Sequence, residues 1–174
     1  MKDAEPRLSW ALTACGHARA RMTPVRHAIL AFLARRRLPA SLQMIAQAEG
    51  VCGQCAATTV YRTLMFFEAA EVVRLVGSPH KISYFVLNLP GESNHFLICR
   101  CCGCLTELPL PPAMDEAIRR IVIAQGFPAL RHDFEVHGLC SQCQTVRQGR
   151  GLPSKLANCK AAMLRSLPQA RCAS

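Results

Sequence analysis

Ile98-Cys-Arg-Cys-Cys-Gly103 and His137-Gly-Leu-Cys-Ser-Gln-Cys143 are the stretches whose reading decides the fold. Each carries a CxxC pair directly after a β-rich run, and two intervening residues let both thiolates of a pair point at one ion. Two such pairs complete a tetrahedral four-sulfur site, which zinc accepts without redox chemistry. The first stretch has two registers, because Cys101 and Cys104 are also a CxxC. Gly103 favours the Cys99/Cys102 register, since a turn closing after the second ligand benefits from a residue free to take positive φ. Cys99, Cys102, Cys140 and Cys143 are therefore expected to hold a structural zinc ion, with Cys101 and Cys104 as spare thiols. A disulfide-exchange site is the rival, but a thioredoxin-like motif needs one CxxC at a strand-to-helix turn rather than two after strands.

Working outward, short strands are predicted at His95–Cys99 and Leu105–Leu108, around the first cluster. A helix opens at Pro112, with Ile118, Ile121 and Val122 inside, and Gly126 stops it. Leu130–Val136 is predicted as a strand running into the second pair. From Gln144 the periodicity is lost in a basic tail, with weak helical character near Lys155–Leu167. Towards the N-terminus, residues 5–17 predict a first helix. Thr23-Pro24 is a cap followed by proline at the first helical position, and Ser41 caps a short third helix. A fourth runs from about Ala56 to Ala69, with Val60, Leu64 and Phe67 facing in. Val72–Val76 and Ile82–Leu87 form a hairpin across Gly77-Ser78-Pro79-His80, and Pro90-Gly91 marks a hinge. Helices closed by such a hairpin describe a winged helix-turn-helix. The expected class is α/β (α+β), with a winged helix over 1–88, a small α/β unit over 89–146 and a basic tail over 147–174.

The charge of +10 lies at the ends. Residues 1–37 hold eight Lys/Arg against two acids and residues 144–174 hold six against none, whereas 38–143 hold seven against nine. Basic ends around a near-neutral middle suit a polyanionic partner or simply aid solubility. Leu12-Thr-Ala-Cys15 looks like a lipoprotein processing site, but its apolar run is short and Asp3 and Glu5 replace a basic leader. The chain reads as cytoplasmic, with no membrane span. With Val60 and Leu64 inward, Thr58, Tyr61 and Arg62 face out from the fourth helix. Arginine can pair with a guanine edge, and Tyr and Thr with phosphates or a thymine methyl. Cys52 and Cys55, just before that helix, read as two unrelated thiols or as a redox pair.

Arg21-Met-Thr-Pro-Val-Arg26, Thr59-Val-Tyr-Arg-Thr-Leu64 and the two cysteine stretches occur in the order of the ferric uptake regulator superfamily, which residues 8–146 resemble. Gly126-Phe127, Arg131-His132 and His137-Gly-Leu-Cys140 look most like its zinc uptake regulators. The resemblance implies a DNA-binding repressor of metal-homeostasis genes, acting as a homodimer on a double-stranded operator. It adds Thr59, Arg21 and Arg26 to the DNA-contacting set and places the structural zinc ligands on the same four cysteines. It also implies a second, regulatory metal ion, read as zinc. The usual interdomain sensor is depleted: the run before the first CxxC is Glu92-Ser-Asn-His95-Phe96, with one histidine, and Arg74 and Leu87 stand where ligands are common. Glu107 matches a carboxylate ligand of the family. His95 and His132 match a second site within the dimerisation unit, where Asp115 or Glu116 supplies a carboxylate; Glu116 completes the expected set of His95, Glu107 and His132. His80 and His137 are further candidates, and His132 also suits a core strand face. Iron sensing, or thiol oxidation at Cys52/Cys55 or Cys101/Cys104, is the alternative to zinc. An enzyme is not expected, because HExxH, H-x-E with P-C-x-x-C and a glycine-rich phosphate loop are all missing and a four-cysteine zinc leaves no open position.

Overall fold

Two side-chain caps set where the N-terminal helices begin. The Thr23 hydroxyl accepts the Arg26 amide at 3.3 Å and opens α2 (Pro24–Ala34); Ser41 accepts the Met44 amide at 3.2 Å and opens α3 (Leu42–Ala46). Each cap satisfies an amide that the helix leaves without a partner. α1 (Ala4–His17) precedes them and buries Arg7, Ala11 and Cys15, spaced by four along one face. α4 (Ala57–Ala69) follows and buries Val60, Thr63, Leu64 and Phe67. The structure is a computed structural model and describes residues 3–18, 21–77, 82–90, 92, 95–127 and 132–149. The wing turn at 78–80, the Gly91 half of the hinge and the tail beyond 149 lie outside the described residues.

The helices close on a three-stranded antiparallel sheet of order β1-β3-β2, made of β1 (Ala40–Ser41), β3 (Tyr84–Leu87) and β2 (Val73–Val76). β1 was not expected; two residues leading into a helix cap give no period-2 signal. Every residue of β3 is buried. Phe85 and Leu87 enter the core that Ile29, Leu30, Leu33, Ile45, Leu64 and Phe67 build between the helices. Tyr84 and Val86, on the opposite face, enter a second core with Val76, Phe96 and Ile98. A strand puts successive side chains on opposite faces, so β3 serves both cores.

Phe96 and Ile98 belong to β4 (Phe96–Cys99), the centre of a second sheet of order β5-β4-β6. β5 (Leu105–Glu107) pairs with it antiparallel, and β6 (Glu135–Gly138) pairs parallel, with Phe96 opposite Glu135 and Cys99 opposite Gly138. A parallel return needs a crossover, supplied here by α5 (Pro112–Ala124), which stops before Gly126 at φ 78. The chain ends its described part in α6 (Ser141–Gly149).

Three expectations change. Of the strand expected over Leu130–Val136, residues 130 and 131 lie outside the described residues, and from 132 on the strand lies at Glu135–Gly138. Pairing to β4 sets that register, and Val136 is 48% exposed, so the alternation through Phe134 and Val136 did not mark a buried face. The chain after Cys143 is helical through Gly149 rather than aperiodic. Ile118, Ile121 and Val122 are not an interior set: no residue of α5 is buried, and Ile121 is 64% exposed. Only Asp115, Ile118 and Val122 are half-buried, so Met114, Ile121 and Ile123 of α5 have no cover among the described residues.

The two sheets are also joined by charge. Arg7, 5% exposed, donates to Glu92 at 2.6 and 2.8 Å and to the Arg36 carbonyl at 3.0 Å. Arg74 on β2 reaches Asp133 at 3.8 Å and Glu135 at 3.7 Å, over the Phe96 ring. The Gly77 amide donates to Glu135 at 3.4 Å. Phe85→Ala, which empties the middle of the doubly buried strand, should cost about 3–5 kcal/mol of stability in denaturant unfolding.

Candidate metal centres and nucleic-acid interface

Parallel strands bring like ends together. Cys99 ends β4, and Cys140 stands two residues beyond the end of β6, so the two CxxC pairs meet at one end of the strand pair. The Cys99 turn is closed by the Gly103 amide donating to the Cys99 carbonyl at 2.9 Å and the Cys99 amide to the Cys104 carbonyl at 3.0 Å. Gly103 sits at φ 72 and is buried, which supports the register read from sequence. The Arg100 amide donates to the Gly138 carbonyl at 2.8 Å and pins this turn to β6.

The Sγ atoms of Cys99, Cys102, Cys140 and Cys143 all lie within 4.8 Å of one another. Those of Cys102 and Cys140 are 3.7 Å apart. Two sulfurs bonded at about 2.3 Å to a tetrahedral ion stand about 3.8 Å apart, so the spacing fits a zinc-sized ion. Burial pushes the Cys99 thiol up, but the amides of Cys102, Cys140 and Cys101 outweigh it and bring it down to about 6. The Cys140 amide donates to this sulfur at 3.3 Å. Amide donation also lowers Cys140, whereas burial and neighbouring thiols raise Cys143. Such a cluster ionises unevenly by itself; a bound dication would draw the remaining protons off.

The other end of the strand pair gathers His95, just before β4, and His132, before β6. Their rings stack at 5.2 Å with a 22° tilt. His132 Nε2 lies 2.9 Å from an Asp115 carboxylate oxygen, and the ligand atoms of His95, Asp115 and His132 fall within 4.8 Å. The carboxylate here is Asp115 rather than Glu116, which pairs with Arg120 at 3.0 Å. Glu107 lines the adjoining cavity of about 270 Å³ with Arg37, Glu92, His95 and Asp115. His95 is 3% exposed, and burial together with His132 lowers its pKa, so the ring is neutral at pH 7. The Phe134 amide donates to its Nδ1 at 3.0 Å, which leaves the proton on Nε2, a buried atom with no hydrogen-bond partner among the described residues. The donor set of two imidazoles and a carboxylate suits a divalent cation. Ligation through either nitrogen of a neutral ring takes the Nδ1 acceptor away from the Phe134 amide. His137 is exposed and 4.0 Å from Glu135. Leu87 is core, and His80 lies outside the described residues.

On α4, Thr58, Thr59, Tyr61 and Arg62 are all exposed, with Tyr61 at 43%. Arg21 is exposed too. Arg26 is held internally: its guanidinium donates to the Arg21 carbonyl at 2.8 Å and stacks 4.7 Å over Phe66. It thus braces the start of α2 against α4. Cys55 is a free thiol, so Cys52 and Cys55 do not bridge. Sequence reasoning named Asp115 and Glu116 as alternatives and carried Glu116 into the set, where the structure brings Asp115 to the histidines; it missed Arg7, whose spacing with Ala11 and Cys15 was the available signal.

A sequence profile described as the Ferric uptake regulator family matches residues 17–147. The chain belongs to the ferric uptake regulator family. It is therefore a metal-responsive transcription regulator and DNA-binding protein rather than an enzyme; family members bind DNA as dimers. It is 28% identical over 124 residues to a peroxide operon regulator of Bacillus subtilis, covering 71% of this chain and 83% of that one. It is 26% identical to a peroxide-responsive repressor of Staphylococcus saprophyticus, covering 83% and 96%. Its fold is similar to the ferric uptake regulator of Helicobacter pylori, at a TM-score of 0.63, 19% identity and coverage of 81% and 93%. The Pseudomonas aeruginosa regulator with manganese gives 0.63, 22%, and 74% and 96%. Among the described residues no helix is long and apolar enough to cross a membrane. Gly103→Ala, forced into the left-handed region, should cost about 1–2 kcal/mol in unfolding experiments.

Proposed function

We propose that this chain is a zinc-responsive repressor that binds an inverted-repeat operator as a homodimer. Cys99, Cys102, Cys140 and Cys143 hold a structural zinc ion, and His95, Asp115 and His132, with Glu107 beside them, take a second, regulatory zinc ion. The observation that carries this reading is the His95–Asp115–His132 cluster, whose ligand atoms lie within 4.8 Å of one another beside the cavity that His95, Glu107 and Asp115 line. Two imidazoles and a carboxylate suit zinc, which is content with few ligands, whereas manganese prefers a fuller oxygen-rich shell. The resemblance of the Gly126–Cys140 stretch to zinc uptake regulators supports the same choice.

The exposed apolar residues on and just after α5 support the dimer. Met114, Ile121, Ile123 and Phe127 are 49–67% exposed, and a second copy would cover them. Two winged helices held at fixed separation would then meet two half-sites, with Thr58, Thr59, Tyr61 and Arg62 of α4 at the bases and phosphates and Arg21 beside them.

A second reading has its own support. The same nitrogen and oxygen donors also suit ferrous iron, and the curated relatives are named for peroxide response. Duplexes selected by the protein from a random pool should be bound tightly with zinc and weakly after chelation, as read by fluorescence anisotropy. Restoration by iron alone, with loss on adding peroxide, would select the second reading. His132→Ala should abolish the metal response while leaving zinc bound at the cysteines. Arg62→Ala should weaken binding to the selected sequence by about 1–3 kcal/mol and relax specificity at one base pair; an equal loss on every sequence would make Arg62 a phosphate contact.

A further inference from the structure

We infer that Arg74 is a positioning residue that couples the wing to the His95–Asp115–His132 cluster: its guanidinium ties β2 to the chain around His132 and opposes a cation held there. The inference rests on the reading of that cluster as the regulatory metal site. Arg74 Nε lies 3.8 Å from an Asp133 oxygen and Nη1 lies 3.7 Å from a Glu135 oxygen, so two carboxylates share one guanidinium. The Gly77 amide, one residue past β2, donates to the same Glu135 oxygen at 3.4 Å. Side chain and backbone of the wing thus converge on the first residue of β6. The three charged side chains are 18–26% exposed, so salt screens them less than it screens surface pairs.

This latch stands beside the cluster on both strands. Asp133 directly follows His132, and the guanidinium lies 5.6 Å from the centroid of the Phe96 ring, which directly follows His95. A positive charge on Arg74 raises the cost of further positive charge at the cluster, and Arg74 cannot shed its charge, because a guanidinium stays protonated at any working pH. The converse holds in the same measure. The guanidinium is repelled, and Asp133 is drawn off, by a cation that the cluster binds. By linkage the two effects are one coupling free energy. The latch therefore keeps the wing tied to β6 while the cluster is empty, and yields when the cluster fills, which lets the wing and α4 adjust to a half-site. An ion pair with a structural role alone would hold the wing equally in both conditions.

The test uses the full-length chain, with the zinc it retains after gel filtration. Further zinc is titrated in competition with a fluorescent chelator, at low and at high salt. The parent should take up zinc that His132→Ala does not; a parent no different from His132→Ala would sink the metal-site reading itself. With that uptake present, Arg74→Gln should bind the further zinc severalfold tighter than the parent, by a margin that shrinks at high salt. Arg74→Lys, which keeps the charge, should bind it about as the parent does. Arg74→Gln should also hold the selected duplex at severalfold lower zinc. Unchanged or weaker zinc binding by Arg74→Gln would overturn the inference, and so would an Arg74→Lys chain that behaves like Arg74→Gln. The parent alone supplies a second measure, whatever the folding of the variants. Exchange of the Gly77 amide hydrogen with solvent, followed by nuclear magnetic resonance, should quicken as the further zinc binds. A Gly77 amide as protected with that zinc as without it would also overturn the inference.

Discussion

The parallel register of β4 against β6 is the constraint on which the C-terminal half depends. Setting Phe96 opposite Glu135 and Cys99 opposite Gly138 brings both cysteine pairs to one end of the strand pair and both histidines to the other. Four residues at about 3.3 Å each separate the two clusters, a span of about 13 Å. A slip of one residue would separate the sulfurs by a strand repeat and turn His95 away from His132 at once. Backbone hydrogen bonds hold the alignment from outside the ladder as well, from Arg100 to Gly138 and from Phe96 to the Phe134 carbonyl. A metal ion at the cysteine end would therefore clamp the geometry that the histidine end requires.

The second constraint is the joint between the sheets. β3 has no free face: Phe85 and Leu87 serve the helical core, and Tyr84 and Val86 serve the core shared with Phe96 and Ile98. Beside this apolar joint stand Arg74 with Asp133 and Glu135, and Arg7 with Glu92. Arginine keeps its charge at any pH the protein meets and forms fixed, forked contacts. Where the family resemblance places a metal ligand on the wing, this chain has a permanent cation facing two carboxylates. The N-terminal half is thus tied to the C-terminal half by contacts that need no ion.

Much of this was legible in the residues. Thr23-Pro24 and Ser41 marked helix starts because a cap is a local hydrogen bond, and Gly103 marked the cysteine turn because positive φ is a local cost. What failed was non-local. The place of β6 depends on pairing with β4, and no property of residues 130–138 alone states it. α5 has a clear apolar stripe, but a stripe does not say whether the same chain covers it. Asp115 and Glu116 are equivalent as letters; only the helix phase, with Asp115 turned towards His132 and Glu116 towards Arg120, separates them. Arg7 reads as a surface charge until Glu92 is brought to it across the fold.

The joint at β3 has a mechanical meaning for α4. That helix packs directly on β2, and β2 carries Val76 and Arg74 into the joint, so the helix and the wing move as one arm. Thirteen residues make the arm about 20 Å long even counting the helix alone. A rotation of about 10° about the joint moves its far end by about 3.5 Å, close to the rise of one base pair, about 3.4 Å. If α4 meets DNA as proposed, the packing of Phe96 between the sheets would set, at a distance, which base pair Arg62 stands against.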